Sequence, residues 1–265
     1  SHINIALIEQ FRSIGYALYR LIPGLNLLAP FSLSDPLDGY QLNLFACKDD
    51  CSTQLADAGK LVFSKKTTFA HIEASKNWEQ FIFKFPYAQN LKSKWKIAQQ
   101  NLLDNESKKY LEILSLYFSI NTVSSEARYH KLKQICLDLQ ALCVTAPTLP
   151  RLISLSRIES ELGQRVSSIG SLNKAVSLVM QGKNMLDEPF LAASIRFETL
   201  DPQNKILNWL LASLLEQLEK LCYFSSYYSG SRTLQTLNFI RSTSFQSIEM
   251  DRRIQLIKQR FAITA

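Results

Sequence analysis

Glycine and proline are scarce in this sequence, with eight of each among 265 residues. A barrel or sandwich of many strands needs more turn residues than this, so long helices are favoured. The sequence also contains no G-x-G at any position. A nucleotide's phosphates or ribose need a close backbone approach, which Cβ atoms obstruct. The sequence therefore carries no glycine loop that would bind a dinucleotide or a nucleoside.

Other signature motifs are missing as well. The sequence has no G-x-x-x-x-G-K, no H-E-x-x-H and no G-x-S-x-G, which excludes the P-loop, zincin and nucleophile-elbow motifs. Its acidic residues, including Glu9, Glu73 and Glu79, show no spacing that is diagnostic of paired acid–base catalysis. We therefore assign no catalytic, cofactor-binding or metal-binding residue from the sequence.

Cysteine is present but forms no recognisable framework. The five cysteines are an odd number and widely scattered, which does not suit a set of structural disulfides. Cys47 and Cys51 make a C-x3-C pair, but no second pair and no nearby histidine completes a zinc site. We expect free thiols in a reducing compartment, and thus a cytoplasmic protein.

Long hydrophobic runs are absent too. No stretch reaches the roughly 18 uninterrupted apolar residues of a membrane span. Glu9, Arg12 and Arg20 interrupt residues 1–30, which excludes a signal peptide. The sequence begins with Ser1 rather than Met, so we expect either processing, cloning or a piece of a longer reading frame.

The positive charge is concentrated in one region. The net charge is +7, and residues 61–110 carry nine basic and four acidic groups. Such a segment attracts phosphate backbones and anionic lipids through a salt-sensitive Coulomb interaction. We favour a solvated lysine face instead, because no nucleic-acid motif accompanies the lysines. These lysines are Lys65, Lys66, Lys76, Lys84, Lys92, Lys94, Lys96, Lys108 and Lys109.

The first 48 residues predict a small α/β element. Apolar residues at three- and four-residue steps indicate a helix over 3–14 that ends at Gly15. Residues 16–22 and 25–32 are typical of short extended segments, and 40–47 of a strand with at least one buried face. Three or fewer strands do not form a stable sheet with a buried strand of their own. We therefore predict the closing edge of a sheet whose other strands are missing.

The rest of the chain predicts helices. We expect short helices over 50–58 and on either side of Pro86 within 60–104, followed by strongly periodic helices from residue 105 onward. Pro147 and Pro150 are predicted to separate two of them. Asp201-Pro202 is predicted to be an N-cap followed by the first helical residue. Two last helices are predicted over 232–243 and 246–262.

The predicted fold class is therefore mainly α, with a short N-terminal antiparallel β element and then an antiparallel helical array. We divide the chain into residues 1–60, a helical linker segment over 61–104, and a helical domain over 105–265.

The N-terminal segment resembles the end of FkbM-type methyltransferase domains. The resemblance lies in the segments GYALYR (15–20), PGLNLLAPF (23–31) and YQLNLFACK (40–48). It implies a class I fold with a Rossmann-like sheet that a later strand closes antiparallel. It also implies S-adenosylmethionine (SAM) as the cofactor of the parent enzyme. The family's SAM-binding glycine loop and acid lie upstream of the matching segment and have no counterpart here.

The resemblance leaves two roles open for the first strand. Tyr16, Tyr19 and Arg20 could line one wall of an acceptor pocket, or they could pack an edge strand, which we favour. The implied reaction is methyl transfer to a hydroxyl of a sugar or another small acceptor. We expect this fragment alone to be inactive.

A shorter resemblance concerns one helix pair. The small residues Gly163 and Ala175, with Leu162, Val166 and Val179, resemble the spacing of a tetratricopeptide-like (TPR-like) repeat. At offsets of about 34 residues the glycine does not recur, so no array is visible. The resemblance implies a TPR-like helical domain that could dock a protein partner.

Three hypotheses follow from the sequence. The first is the C-terminal portion of a SAM-dependent methyltransferase. The second is a non-enzymatic helical interaction module. The third and weakest is binding of nucleic acid through the lysines of 65–109 and neighbouring aromatic residues. His130 is expected to have a surface or packing role, and the polar-aromatic segment 224–232 is expected to be a loop rather than a ligand site.

Overall fold

The structure, a computed structural model, describes residues 4–33, 43–62, 78–100, 104–120, 123–222 and 233–261. It is mainly helical, at 67%, with one small three-stranded antiparallel sheet. This confirms the predicted fold class of a mainly α protein with a short antiparallel β element. Within these ranges, no helix combines the length and the apolar character needed to cross a membrane.

The N-terminal elements follow the predicted order. The first helix begins at Asn4, whose side chain accepts a hydrogen bond of 3.1 Å from the amide of Leu7. It ends just before Gly15, which has a φ of +83°. The elements of this part are α1 (Ile5–Ser13), β1 (Ala17–Ile22), β2 (Leu27–Pro30), β3 (Phe45–Cys47) and α2 (Asp49–Asp57).

Strand β1 lies at the centre of the sheet. It pairs antiparallel with β2 on one side, where Leu21 faces Leu28, and with β3 on the other, where Leu18 faces Ala46. The inner strand is therefore β1 rather than the predicted stretch over 40–47. Of that stretch, residues 40–42 lie outside the described residues, and β3 is a short edge strand with a half-exposed Phe45.

A helix covers each face of the sheet. On one face, Ile8 of α1 packs with Leu18 of β1 and Phe31. On the other face, Leu55 of α2 packs with the cluster of Tyr19, Cys47 and Leu61. Because successive strand residues point to opposite faces, Leu18 packs against α1 and Tyr19 packs against α2. The result is a small helix–sheet–helix sandwich.

The two edges of the sheet differ. The outer edge of β2 is occupied at Leu28, whose amide donates to the carbonyl of Lys60 and whose carbonyl accepts from the amide of Val62, both at 2.8 Å. Along β3, β1 is the single strand partner within the described residues. Among the residues that the structure describes, no strand therefore pairs with the outer edge of β3.

The remaining chain forms ten helices in its described part. The two at the start lie on either side of residues 83–85, as predicted near Pro86. Pro86 itself is the first residue of the longer helix. The helices are α3 (Trp78–Ile82), α4 (Pro86–Gln100), α5 (Asn105–Ser119), α6 (Ser125–Thr145), α7 (Leu149–Glu161), α8 (Arg165–Met180), α9 (Ile195–Glu198), α10 (Ile206–Cys222), α11 (Thr233–Ser242) and α12 (Ile248–Arg260).

Two predicted boundaries are wrong. Pro150 does not separate α6 from α7 but lies in the first turn of α7, where its missing N–H costs nothing. Asp201 does not cap a helix. Its carboxylate accepts from the amide of Gln203 at 2.9 Å, Gln203 and Asn204 follow with positive φ, and α10 begins only at Ile206. Asp-Pro favours tight turns as well as helix starts, and the turn forms here.

The hydrophobic core is continuous across the three predicted segments. Ile22 and Leu27 of the sheet belong to the same buried cluster as Trp95 of α4 and Leu139 of α6. Residues of the predicted linker segment, such as Tyr87 and Trp95, are among the largest fully buried side chains. The sheet and the helices therefore pack as one body.

An irregular segment, residues 181–194, runs through this core. Buried backbone groups need hydrogen-bond partners, and side chains of α4 and α5 supply them here. Tyr87 donates to the carbonyl of Phe190 at 2.7 Å, and Trp95 donates to the carbonyl of Leu186 at 3.0 Å. From α5, Tyr110 donates to the carbonyl of Pro189 at 2.8 Å. These bonds fix segment 181–194 without secondary structure.

Candidate functional site

A cavity of about 600 Å³ is bordered by the first turns of α5 and α7, the C-terminal end of α8, and residues 183–188. Its volume is within the range of small-molecule sites. We call it the α5–α7 cavity. Its lining residues are Asp104, Ser107, Ala146, Pro147, Thr148, Leu149, Pro150, Arg151, Leu178, Lys183, Met185, Asp187 and Glu188.

The N-termini of α5 and α7 both lie at this cavity, and a side chain that lines the cavity caps each of them. The carboxylate of Asp104 accepts the amide of Ser107 at 2.7 Å at the start of α5. The hydroxyl of Thr148 accepts the amide of Arg151 at 3.3 Å at the start of α7. The bond from the Ser107 amide lowers the pKa of Asp104, so this rim carboxylate stays ionised.

A buried ion pair forms part of the cavity wall. Arg151 is only 2% exposed, and its guanidinium donates through Nε to Glu188 at 3.1 Å and through Nη1 to the carbonyl of Ala146 at 2.8 Å. Glu188 also accepts the hydroxyls of Thr148 at 2.7 Å and Ser107 at 3.0 Å. Because these groups satisfy one another, the network holds 183–188 against α5 and α7.

The rim of the cavity carries both signs of charge. Asp187 forms an ion pair of 2.9 Å with Lys94 of α4, and both side chains are exposed. Lys183 is exposed as well, and Met185 adds an apolar side chain that is 69% exposed. No histidine or cysteine is among the residues that line this cavity. The arrangement suits binding of a partly apolar group better than acid–base or nucleophilic chemistry.

The aromatic residues singled out on the first strand pack the sheet. The ring of Tyr16 lies edge-on to Phe11 at 5.7 Å, with the ammonium of Lys48 5.3 Å from its centre. Tyr19 is buried, and its hydroxyl donates to Ser52 of α2 at 3.2 Å. These contacts are those of packing, which was the favoured role, although β1 is a central strand and not an edge strand.

Three of the described lysines of the basic segment contact different side chains. Lys84 and Lys92 lie over the rings of Phe81 and Phe83, at 5.3 and 5.0 Å. Lys94 is paired with Asp187, as above. Lys65, Lys66 and Lys76 lie outside the described residues.

Three other features singled out from the sequence either do not line the α5–α7 cavity or lie outside the described residues. His130 is half-buried on α6, with its ring 5.1 Å from that of Tyr129. Residues 224–232 lie outside the described residues. In the helix pair α7–α8, for which the sequence predicted TPR-like spacing, Ala175 and Val179 are buried and Gly163 has a φ of +73°, whereas Val166 is exposed.

The described residues do not fit a SAM-binding loop. The six described glycines include none that lines the α5–α7 cavity. Gly24, the most tightly packed of them, lies against Glu161. Its lack of a Cβ therefore lets the turn between β1 and β2 pack against the end of α7. In the described ranges, no three His, Cys, Asp or Glu residues come together as metal ligands.

The cavity escaped sequence reasoning because its residues come from four distant stretches. The one local signal was Thr148 before Pro150, a typical helix start. No family model, no curated protein and no solved structure matches the chain. The FkbM-type and TPR-like resemblances therefore remain predictions from the sequence.

Proposed function

We propose that this chain is the C-terminal portion of a SAM-dependent methyltransferase that methylates a hydroxyl of a sugar or another small molecule. The SAM-binding half is not part of these 265 residues. The observation that carries this proposal is the outer edge of β3, which pairs with no strand in the described part of the chain, in a sheet that already has a helix on each face.

A sheet in a globular domain typically has about five or six strands, which is more than the three seen here. Residues 60–62 occupy the β2 edge at Leu28, so we place the additional strands along β3, whose outer edge has no strand partner among the described residues. Strand β3 is the segment that the resemblance assigns to closing the sheet, and it is antiparallel to β1.

Exposed apolar side chains on the same part of the chain also support the proposal. Ile5 and Leu7 of α1 are about half exposed, and Ile14, the C-cap of this helix, is 60% exposed. On the sheet, Leu21 and Phe45 are exposed to a similar degree. Clusters of exposed apolar residues are typical of surfaces that another layer or partner covers. Additional strands and helices of a class I domain would cover them.

The test compares two polypeptides by calorimetry with SAM. One is the 265-residue chain, and the other extends upstream of Ser1 in the same reading frame. We expect no SAM binding by the first and binding with transfer of a labelled methyl group by the second. A stop codon directly upstream, or an extended chain that does not bind SAM, would contradict the proposal, as would SAM binding by the short chain.

A matched pair of variants connects this test to the structure. Leu7→Asp places a charge on the exposed apolar side of α1, and Arg12→Ala changes an exposed polar residue of the same helix. In the 265-residue chain, neither should change the unfolding free energy by more than about 0.5 kcal/mol. In the extended polypeptide, only Leu7→Asp should lower SAM binding, because it would bury an unpaired charge.

The α5–α7 cavity favours a second candidate function, a helical protein-interaction module. The cavity has an apolar wall with exposed Met185, and its rim offers carboxylates as well as lysines. A peptide with one apolar anchor would fill it. Screening of a peptide array against the intact chain tests this candidate: Met185→Asp should abolish binding, whereas Ile195→Asp, at an exposed position that does not line the cavity, should not.

A further inference from the structure

The two cysteines of the C-x3-C sequence are brought together at the junction of β3 and α2. Cys47 is the last residue of β3, Lys48 is the N-cap of α2 with an extended φ of −80° and ψ of 165°, and Cys51 is the third residue of the helix. An extended N-cap turns the preceding side chain toward the first helical turn. The side chain of Cys51 lies close enough to that of Cys47 to raise the pKa of the Cys47 thiol.

The two thiols have different surroundings. Cys47 is buried against Tyr19 and Leu61, whereas Cys51 is exposed. Burial raises the pKa of Cys47, and the neighbouring Cys51 raises it further. Cys51 is therefore the accessible thiol, and Cys47 is a protonated thiol held beside it. Attack by the exposed thiol and resolution by the buried one is the usual order for such a pair.

The other three cysteines lack this arrangement. Cys136 and Cys143 lie seven residues apart on α6, which separates their Cα atoms by about 10 Å, too far for a disulfide. Burial raises the pKa of each of them to about 12, so both are poor nucleophiles at neutral pH. Cys222 lies at the end of α10 and has a raised pKa as well.

We propose that Cys47 and Cys51 form a thiol–disulfide exchange site whose substrates are low-molecular-weight disulfides of the glutathione type. The Cys51 thiolate attacks one sulfur of the small disulfide, whose S–S bond breaks and releases one thiol. The Cys47 thiol loses its proton to solvent and attacks Sγ of Cys51 in the mixed disulfide, releasing the second thiol. The protein dithiol is thereby oxidised by two electrons, and the small disulfide is reduced to two thiols.

The resulting Cys47–Cys51 bond would link the end of β3 covalently to the first turn of α2. The bond would thus connect the edge strand to the helix that covers one face of the sheet. The exchange site does not depend on the proposed methyltransferase function.

Lys48 makes the site easy to map, because trypsin cleaves between the two cysteines. The intact chain is incubated with oxidised glutathione, its remaining thiols are alkylated, and tryptic peptides are analysed by mass spectrometry. We expect the peptide that ends at Lys48 to be joined by a disulfide to the peptide that begins at Asp49. We expect Cys136, Cys143 and Cys222 to be alkylated.

Variants separate the roles of the two thiols. In Cys47→Ser, Cys51 should keep glutathione as a stable mixed disulfide, and in Cys51→Ser the reaction at Cys47 should slow by about tenfold or more. Cys222→Ser is the matched control and should react like the wild type. A wild-type chain in which the mixed disulfide persists at Cys51 with Cys47 alkylated would overturn the proposal. So would faster reaction at Cys136, Cys143 or Cys222, and this wild-type result does not depend on how the variants fold.

Discussion

The amide of Gly24 donates a hydrogen bond of 2.8 Å to the carbonyl oxygen of Glu161, and these two residues touch across the junction between the sheet and the helices. Gly24 lies in the turn between β1 and β2, and Glu161 is the last residue of α7. A Cβ added at Gly24 would lie 2.3 Å from the Cβ of Glu161. The turn between β1 and β2 therefore packs directly against the C-terminal end of α7.

Gly24→Ala should lower the unfolding free energy because the added methyl group overlaps Glu161. Overpacking of this kind costs about 1–3 kcal/mol, and the contact here is with backbone as well as side chain. Urea denaturation followed by circular dichroism measures the effect. Gly170→Ala is the matched control: Gly170 lies inside α8 with open space around it, so alanine should stabilise the chain by up to about 1 kcal/mol. Equal effects of the two substitutions would contradict the close fit at Gly24.

Tyr110→Phe should destabilise the chain through the irregular segment 181–194. It removes the hydroxyl that donates to the carbonyl of Pro189 at 2.8 Å and contacts the hydroxyl of Ser154 at 2.8 Å. A buried acceptor left without a donor costs about 1–3 kcal/mol. Tyr16→Phe, whose half-buried ring packs near the surface, should change stability by less than about 0.5 kcal/mol. Indistinguishable denaturation midpoints for the two variants would show that Tyr110 does not support the segment.

The ion pair in the wall of the α5–α7 cavity should be far more sensitive than the one on its rim. Arg151→Met leaves the carboxylate of Glu188 without its cation in a largely buried place, which costs about 3–5 kcal/mol. Lys94→Met breaks the exposed pair with Asp187 and should cost less than about 1 kcal/mol. Thermal denaturation compares the two, and a larger loss in Lys94→Met would refute the assigned roles.

Glu219 of α10 should make the stability of the chain depend on pH. Burial raises its pKa from 4.5 to about 7, although Arg253 at 3.4 Å opposes the shift. Between these two values the folded state binds more protons than the unfolded state, so this group's contribution to the unfolding free energy falls as pH rises. Glu219→Gln should therefore become more stable relative to the wild type from pH 5 to pH 7. Glu249→Gln, at an exposed position of α12, controls for loss of a carboxylate; the same trend in both variants would argue against burial as the cause.

Local patterns predicted the elements whose ends carry strong local signals. Periodicity and Gly15 placed α1, and the last two helices were predicted over 232–243 and 246–262, close to α11 and α12. The same type of signal failed at Asp201, since an Asp-Pro pair can start either a helix or a tight turn. In the structure, the positive φ of Gln203 and Asn204 shows that this pair forms the tight turn.

The α5–α7 cavity could not be predicted because its wall forms only when separate parts of the chain pack together. The segment that carries Glu188 has no periodicity, and side chains about 80 to 100 positions earlier in the sequence bind its carbonyl groups. The cysteine pair is an intermediate case. Its spacing was visible in the sequence, but the contact depends on the extended backbone of Lys48, which the sequence does not specify.

The central claim is that further strands of a larger α/β sheet join along β3. Amide hydrogen exchange at residues 45–47 tests it most directly, in the 265-residue chain and in the polypeptide extended upstream of Ser1. We predict that outward-facing β3 amides exchange rapidly in the short chain and become strongly protected in the extended one. Equal exchange of these amides in both polypeptides would contradict the claim.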